Sequence, residues 1–151
     1  MIRLALLLSL SVGCLACIDS LEPEVGPLLA ETCYNVDSDP SVDVSYGEQI
    51  VPLIFEGVGI ACLECHAPTA PTPIGFEVGG LDLSSFERMS AGGISGTDVV
   101  VPGRPCQSIL FQKVQAGPPF GGRMPLDGPP YLSALESQLL HDWIVEGARN
   151  N

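Results

Sequence analysis

Apolar side chains recur at helical spacing from residue 46 onwards, and the polar residues before them are typical of a helix start. Ser45 and Glu48 have the spacing of a capping box, in which a hydroxyl and a carboxylate accept hydrogen bonds from backbone amides at the helix start. One face of the predicted helix carries Tyr46, Ile50, Leu53 and Ile54. Pro52 lies inside this helix and predicts a kink or a late start.

Three further helices are predicted downstream by the same criteria. A short helix begins at the capping-box spacing of Ser84 and ends at Ala91, before two glycines. The next predicted helix covers residues 107–115, and its core-facing side chains are Ile109, Leu110 and Val114. The last begins at Ser133 and ends near Gly147, and its apolar stripe comprises Leu135, Leu139, Trp143 and Ile144.

Loops rich in glycine and proline separate these helices, at residues 67–80, 96–105 and 117–130. No segment shows the alternation of a strand, so the pattern predicts a small all-α domain. The chain contains 17 glycines and 14 prolines in 151 residues, so much of the domain is expected to be loop. Such a domain is short of buried apolar surface, and a large apolar cofactor would supply a core.

The N-terminus predicts export. Arg3 is followed by an apolar run over residues 4–12, which is too short to span a bilayer. The residues that follow resemble a bacterial lipoprotein cleavage site, with lipidation at Cys14 or Cys17; an uncleaved anchor and a plain secretory peptide are the alternatives. The chain therefore divides into a signal peptide at 1–16, an acidic flexible tether at 17–42 and a domain at 43–151. The expected location is the periplasm or the cell surface, at the membrane.

Charge narrows the range of partners. The chain carries 18 acidic and six basic residues, for a formal net charge of −12. Nucleic-acid binding needs basic patches that neutralise phosphates, so this composition excludes it. A partner protein with a basic surface would instead be attracted.

The chemistry is concentrated in Cys62-Leu63-Glu64-Cys65-His66, a C-x-x-C-H motif. Two thiols three positions apart can each add to a vinyl group on one porphyrin edge, and His66 is then held where its imidazole can bind iron. The motif therefore predicts one covalent haem c. The alternatives are half of a zinc site, a thioredoxin-like redox pair and a purely structural disulfide module.

Haem iron held by His66 needs a sixth ligand or an open position. Met124 lies in a loop and is followed by proline, so its thioether could reach iron without distorting a helix. Met89 lies within a predicted helix and is the weaker candidate. Arg123, beside Met124, is a candidate contact for a haem propionate, whereas Arg104 is better explained as an exposed loop charge.

The order of these features resembles a class I cytochrome c, and more narrowly the planctomycete-type cytochrome c domain. The resemblance covers residues 46–149 and rests on C-x-x-C-H, Gly80-Leu81-Asp82-Leu83, residues 92–96, Val101-Pro102-Gly103-Arg104-Pro105, Met124-Pro125 and Trp143-Ile144 with Gly147-Ala148. It implies a cytochrome c fold in which the first and last helices cross and the domain wraps one haem. It also implies haem-binding roles for Cys62, Cys65, His66 and Met124.

Two cysteines remain outside the leader and the motif, Cys33 and Cys106. An oxidising compartment would permit them to form a disulfide, but sequence alone does not show that they are close. Cys106 stands where the resembled family generally has a polar residue, which favours the pairing. Free thiols are the alternative.

The remaining polar residues show no arrangement of nucleophile and base and no phosphate loop, so the prediction is an electron carrier rather than an enzyme. Trp143 is expected to pack in the core, and His141 to be solvated, with a distal ligand role left open. Two other functions stay open: a haem sensor or enzyme subunit with a vacant sixth position, and a haem-free secreted module. Oligomeric state is left undetermined.

Overall fold

The computed structural model describes residues 33–57 and 61–151. Within these ranges the protein is helical and has no strand, which confirms the expected all-α class. Five helices are α1 (Tyr46–Phe55), α2 (Ile74–Gly79), α3 (Phe86–Ala91), α4 (Ile109–Val114) and α5 (Ala134–Val145). Short 3₁₀ turns occur at Cys62–Glu64 and Pro105–Gln107. The predicted leader, with Cys14 and Cys17, lies outside the described residues, and so do residues 17–32 of the predicted tether.

None of the helices in the described ranges is long and apolar enough to cross a membrane.

Helix α1 is wound as a π-helix, with hydrogen bonds from an amide to the carbonyl five residues earlier. Ile50 N–H donates to the Ser45 carbonyl, and Glu56 N–H to that of Val51. Pro52 lies inside this helix and has no backbone N–H, so one hydrogen bond of the ladder is missing there. The wider turn rotates Leu53, predicted to face inward, to 49 % exposure and brings Phe55 into the core instead.

Hydroxyl caps begin three of the helices. Ser45 accepts from the Glu48 amide as predicted, but Gln49 rather than Glu48 supplies the return bond to the Ser45 amide. Helix α3 is capped by Ser85, one residue later than predicted. Helix α5 has the full capping box, in which Ser133 and Glu136 each accept from the other's amide.

The helix predicted at 107–115 is split in two by Ser108. Its buried hydroxyl accepts from the Val101 amide and donates to the Arg104 carbonyl oxygen. These bonds tie it to the preceding loop, so a 3₁₀ turn precedes it and α4 starts only at Ile109.

The core forms where α5 packs against α1 and α4. Tyr46 lies 5.4 Å from Trp143, measured between ring centroids, and Phe86 meets both rings edge to face. Trp143 is fully buried, which confirms its predicted core role. Leu135, predicted on the buried stripe, is instead 83 % exposed. The buried stripe of α5 begins further along and comprises Leu140, Trp143 and Ile144.

Residues 33–44 form an N-terminal strap that lies along α5. A disulfide between Cys33 and Cys106 attaches the strap, and it confirms the pairing that the sequence favoured. His141 Nε2 is 2.6 Å from the Tyr34 carbonyl oxygen, and the Ser38 hydroxyl donates to Asp142. His141 is therefore buried, and the expectation of a solvated side chain was wrong, because the strap covers the polar side of α5.

Candidate haem-attachment site

The C-x-x-C-H motif is folded as one tight turn. The Glu64 amide donates to the Ala61 carbonyl, and the amides of Cys65 and His66 both donate to the carbonyl of Cys62. In a 3₁₀ turn, side chains three positions apart lie on the same side. The turn therefore presents the two thiols together and places the imidazole immediately after them.

The Cys62 thiol lies in surroundings that favour its neutral form over the thiolate. Burial raises its pKa to about 11, and its Sγ lies 3.3 Å from the Ile54 carbonyl oxygen, which accepts from the S–H. In the described ranges, no group of three or more histidine, cysteine or acidic side chains is placed to hold a metal ion.

His66 is oriented by its backbone surroundings. Its Nδ1 lies 3.4 Å from the Leu81 carbonyl oxygen, a contact that places the proton on Nδ1 and leaves the Nε2 lone pair for a metal. Burial lowers the pKa of the imidazole, although the Leu81 carbonyl opposes this shift. A neutral imidazole whose second nitrogen is held by a carbonyl is the usual form of an iron-binding histidine.

Helix α2 packs on this motif and was missed in the sequence, where residues 67–80 predicted a loop. The Phe76 amide donates to the Cys65 carbonyl, and Gly75 lies against the ring of His66. A Cβ at Gly75 would fall 2.6–2.8 Å from three ring atoms, so only glycine allows this contact. The available signal was Ile74 and Val78 four residues apart, but both are exposed and give no buried face.

The two methionine candidates have different environments. Met89 lies on α3 and is completely buried in the core. Its role is therefore explained by hydrophobic packing. Met124 is half-buried beside the core, and its amide donates to the Lys113 carbonyl at 2.7 Å. The axial role of Met124 stays a prediction.

The arginines of the two loops also differ. Arg104 is exposed, as expected for a solvated loop charge. The Nε of Arg123 donates to the Val114 carbonyl oxygen at 2.8 Å, and its guanidinium lies 4.1 Å from the centre of the Tyr131 ring. The hydrogen bond uses only the Nε donor, and the guanidinium has further N–H groups. Its contact with a haem propionate stays a prediction.

The donor set fits haem c better than the other groups considered. Cys62 and Cys65 both carry thiols, half-buried and on one turn, and the adjacent imidazole has its Nδ1 engaged. A zinc site built on the two thiols would require two more ligands, and a thioredoxin-like pair would require a β–α–β setting. The described residues therefore form a small all-α domain whose motif turn presents two thiols and an imidazole, a donor set that fits haem c.

Comparison with known families agrees with this class. Residues 62–127 match the family model described as Planctomycete cytochrome C. The matched segment contains Cys62, Cys65, His66 and Met124, and it confirms the resemblance to planctomycete-type cytochrome c over these residues. Neither the curated proteins nor the solved structures contain a match.

Proposed function

We propose that this protein is a monohaem c-type cytochrome that passes single electrons outside the cytoplasm. The observation that carries the proposal is the folded C-x-x-C-H turn, with the Nδ1 of His66 facing the Leu81 carbonyl. The cytochrome c family match over the same residues supports it.

Cys62 and Cys65 would hold the haem through thioethers, and His66 would bind iron through Nε2. When bound, haem supplies an iron centre that alternates between ferric and ferrous states. The Leu81 carbonyl and Gly75 keep the imidazole in one orientation, which limits structural change on electron transfer. A domain wrapped around the haem would keep water away from it.

Met124 is the proposed sixth ligand. Its thioether is neutral and soft, favours ferrous iron and would raise the reduction potential. The half-buried position beside the core suits a side chain that closes a haem pocket. With the sixth position filled in this way, the protein acts as an electron carrier rather than as an enzyme or a gas sensor.

The proposed location is the periplasm or the cell surface. The Cys33–Cys106 disulfide supports an oxidising compartment. Lipidation of Cys14 or Cys17 would then tether the protein to the membrane. The net charge of −12 favours redox partners with basic surfaces.

The proposal is tested by intact mass and a pyridine haemochrome spectrum of the mature protein from cells that mature c-type cytochromes. We expect one haem added to the polypeptide mass. Cys65→Ala should weaken or abolish covalent haem, whereas the double variant Cys33→Ser/Cys106→Ser, which removes the disulfide and leaves no unpaired partner, should retain it. A mature protein with the mass of its amino acids alone would refute the proposal.

A further inference from the structure

The segment that carries Met124 closes the end of α4. The last carbonyls of a helix lack partners within it and require donors from elsewhere. The Met124 amide donates to the Lys113 carbonyl at 2.7 Å, and Arg123 Nε donates to the Val114 carbonyl at 2.8 Å. The backbone of Met124 is thus fixed at the end of this helix.

The side chain of Lys113 binds the same segment from the other direction. Its Nζ donates to the carbonyl oxygens of Phe120 and Gly122, at 2.7 and 2.6 Å. The ammonium also lies 4.9 Å from the centre of the Phe120 ring. Gly121, between the two carbonyls, has φ +58°, and a Cβ there would lie 3.2 Å from Nζ, so glycine lets both carbonyls converge on one cation.

Within the described residues, Lys113 forms no ion pair, although the chain carries 18 acidic residues. No carboxylate there competes with the two carbonyl oxygens for its ammonium. Lys113 is also the only lysine of the sequence. Hydrogen bonds from a charged donor to carbonyls are stronger than neutral ones and hold a loop more firmly.

We infer that Lys113 is the positioning residue for Met124: its ammonium fastens residues 120–122 to α4 and so holds the methionine loop in the conformation that presents the thioether. This inference rests on the proposed function, in which Met124 binds the haem iron. A thioether is a weak neutral ligand, so its occupancy of iron depends on how firmly its loop is held.

The test is competition with imidazole on the ferric holoprotein, because imidazole binds the iron only where Met124 has left. In Lys113→Met, which keeps the apolar stem and removes the donors, we expect the apparent imidazole affinity to rise about tenfold. The long-wavelength charge-transfer absorption of methionine-ligated ferric haem should weaken in parallel, while far-ultraviolet circular dichroism stays unchanged.

Two variants serve as controls. Lys113→Arg keeps a cation with several donors and should lie closer to the wild type than Lys113→Met. Arg149→Met removes an equal charge at the exposed ion pair with Asp43, and should leave imidazole affinity unchanged. An equal effect in Arg149→Met would assign the change to net charge and overturn the inference.

Chemical modification of the wild-type holoprotein tests the same point. Reductive dimethylation of the folded holoprotein keeps the charge of Lys113 but leaves one N–H for two carbonyls. We expect a rise in imidazole affinity that is absent when Lys113→Arg protein is treated identically, since this variant shares every other amine. An unchanged affinity after complete dimethylation would overturn the role of the hydrogen bonds.

Met124→Ala separates failure of the inference from failure of the proposed ligand. If Met124→Ala binds imidazole much more tightly than the wild type and Lys113→Met does not, Met124 is the ligand and the role of Lys113 is rejected. If Met124→Ala and the wild type bind imidazole equally, Met124 is not the ligand, and both statements fall.

Discussion

Gly75 shows how one missing side chain determines the position of another. The ring of His66 occupies the space that a Cβ at Gly75 would fill. Because the obstructed group is a side chain, an alanine there would be accommodated by moving the imidazole rather than the backbone. The cost would fall on ligand geometry more than on the stability of the fold.

We therefore expect Gly75→Ala to retain covalent haem but to alter the electron paramagnetic resonance of the ferric form, which reports axial ligand orientation. Gly79→Ala is a matched control on the same helix, since a Cβ there meets nothing within 4 Å. Identical spectra for Gly75→Ala and the wild type would show that the imidazole is not held against this glycine.

Met124 and Met89 differ in what their removal should change. Met124→Ala should abolish the charge-transfer absorption of methionine-ligated ferric haem, and the reduced protein should bind carbon monoxide readily. Met89→Leu should keep the absorption, because Met89 is a fully buried core residue and leucine nearly conserves its volume. Retention of the absorption in Met124→Ala would move the ligand elsewhere.

The N-terminal strap is attached to the rest of the domain by a covalent bond. The Cys33–Cys106 disulfide joins residues 73 positions apart, and its removal frees a long loop in the unfolded chain. Replacing both cysteines by serine should lower the free energy of unfolding by about 2–4 kcal/mol, measured by urea titration.

The wild-type protein with its disulfide reduced serves as the control for this strap prediction. Haem thioethers resist mild thiol reductants, so reduction should reproduce the serine variant with the haem signal unchanged. A double variant as stable as the oxidised wild type would mean that the strap contributes little through this bridge.

The helices themselves were predictable where the chain supplies its own start and stop. The start of α5 at the Ser133 capping box and the end of α3 before the glycine after Ala91 are both confirmed. These signals act within one turn of the backbone, so the local sequence is enough to predict them. The buried face of α1 was predicted wrongly, because its π-helical winding places Phe55 rather than Leu53 in the core. Helix α2 was missed because its contacts are with the motif turn and not within itself.

The free energy of unfolding of the whole molecule is expected to depend on pH through the buried carboxylate of Asp82. Burial alone would raise the pKa of Asp82, but hydrogen bonds from Ser84 and the nearby Arg88 guanidinium outweigh it and lower the pKa below 3.8. A carboxyl with a depressed pKa in the folded state stabilises the fold above the unfolded pKa. That contribution is lost as the pH falls through the lower folded value.

Asp82→Asn should accordingly be less stable than the wild type at pH 7, and the difference should narrow below pH 3.8. Urea titrations across the acidic range would measure it, with Asp98→Asn as a control at an exposed position. A stability difference that stays constant across this range would contradict the assignment to ionised Asp82.

The sequence alone determined the all-α class, most helix ends and the motif that predicts haem, because periodicity, capping and C-x-x-C-H are all encoded over a few neighbouring residues. Only the tertiary structure decided which residues support that motif. These supports are the Leu81 carbonyl and Gly75 against His66, and the Lys113 ammonium on the carbonyl of Phe120. Each depends on backbone groups or on a missing side chain beyond one helical turn, so no side-chain pattern marks it. The burial of His141 likewise depended on where the strap lies, since a helix does not reveal which polar face another segment will cover.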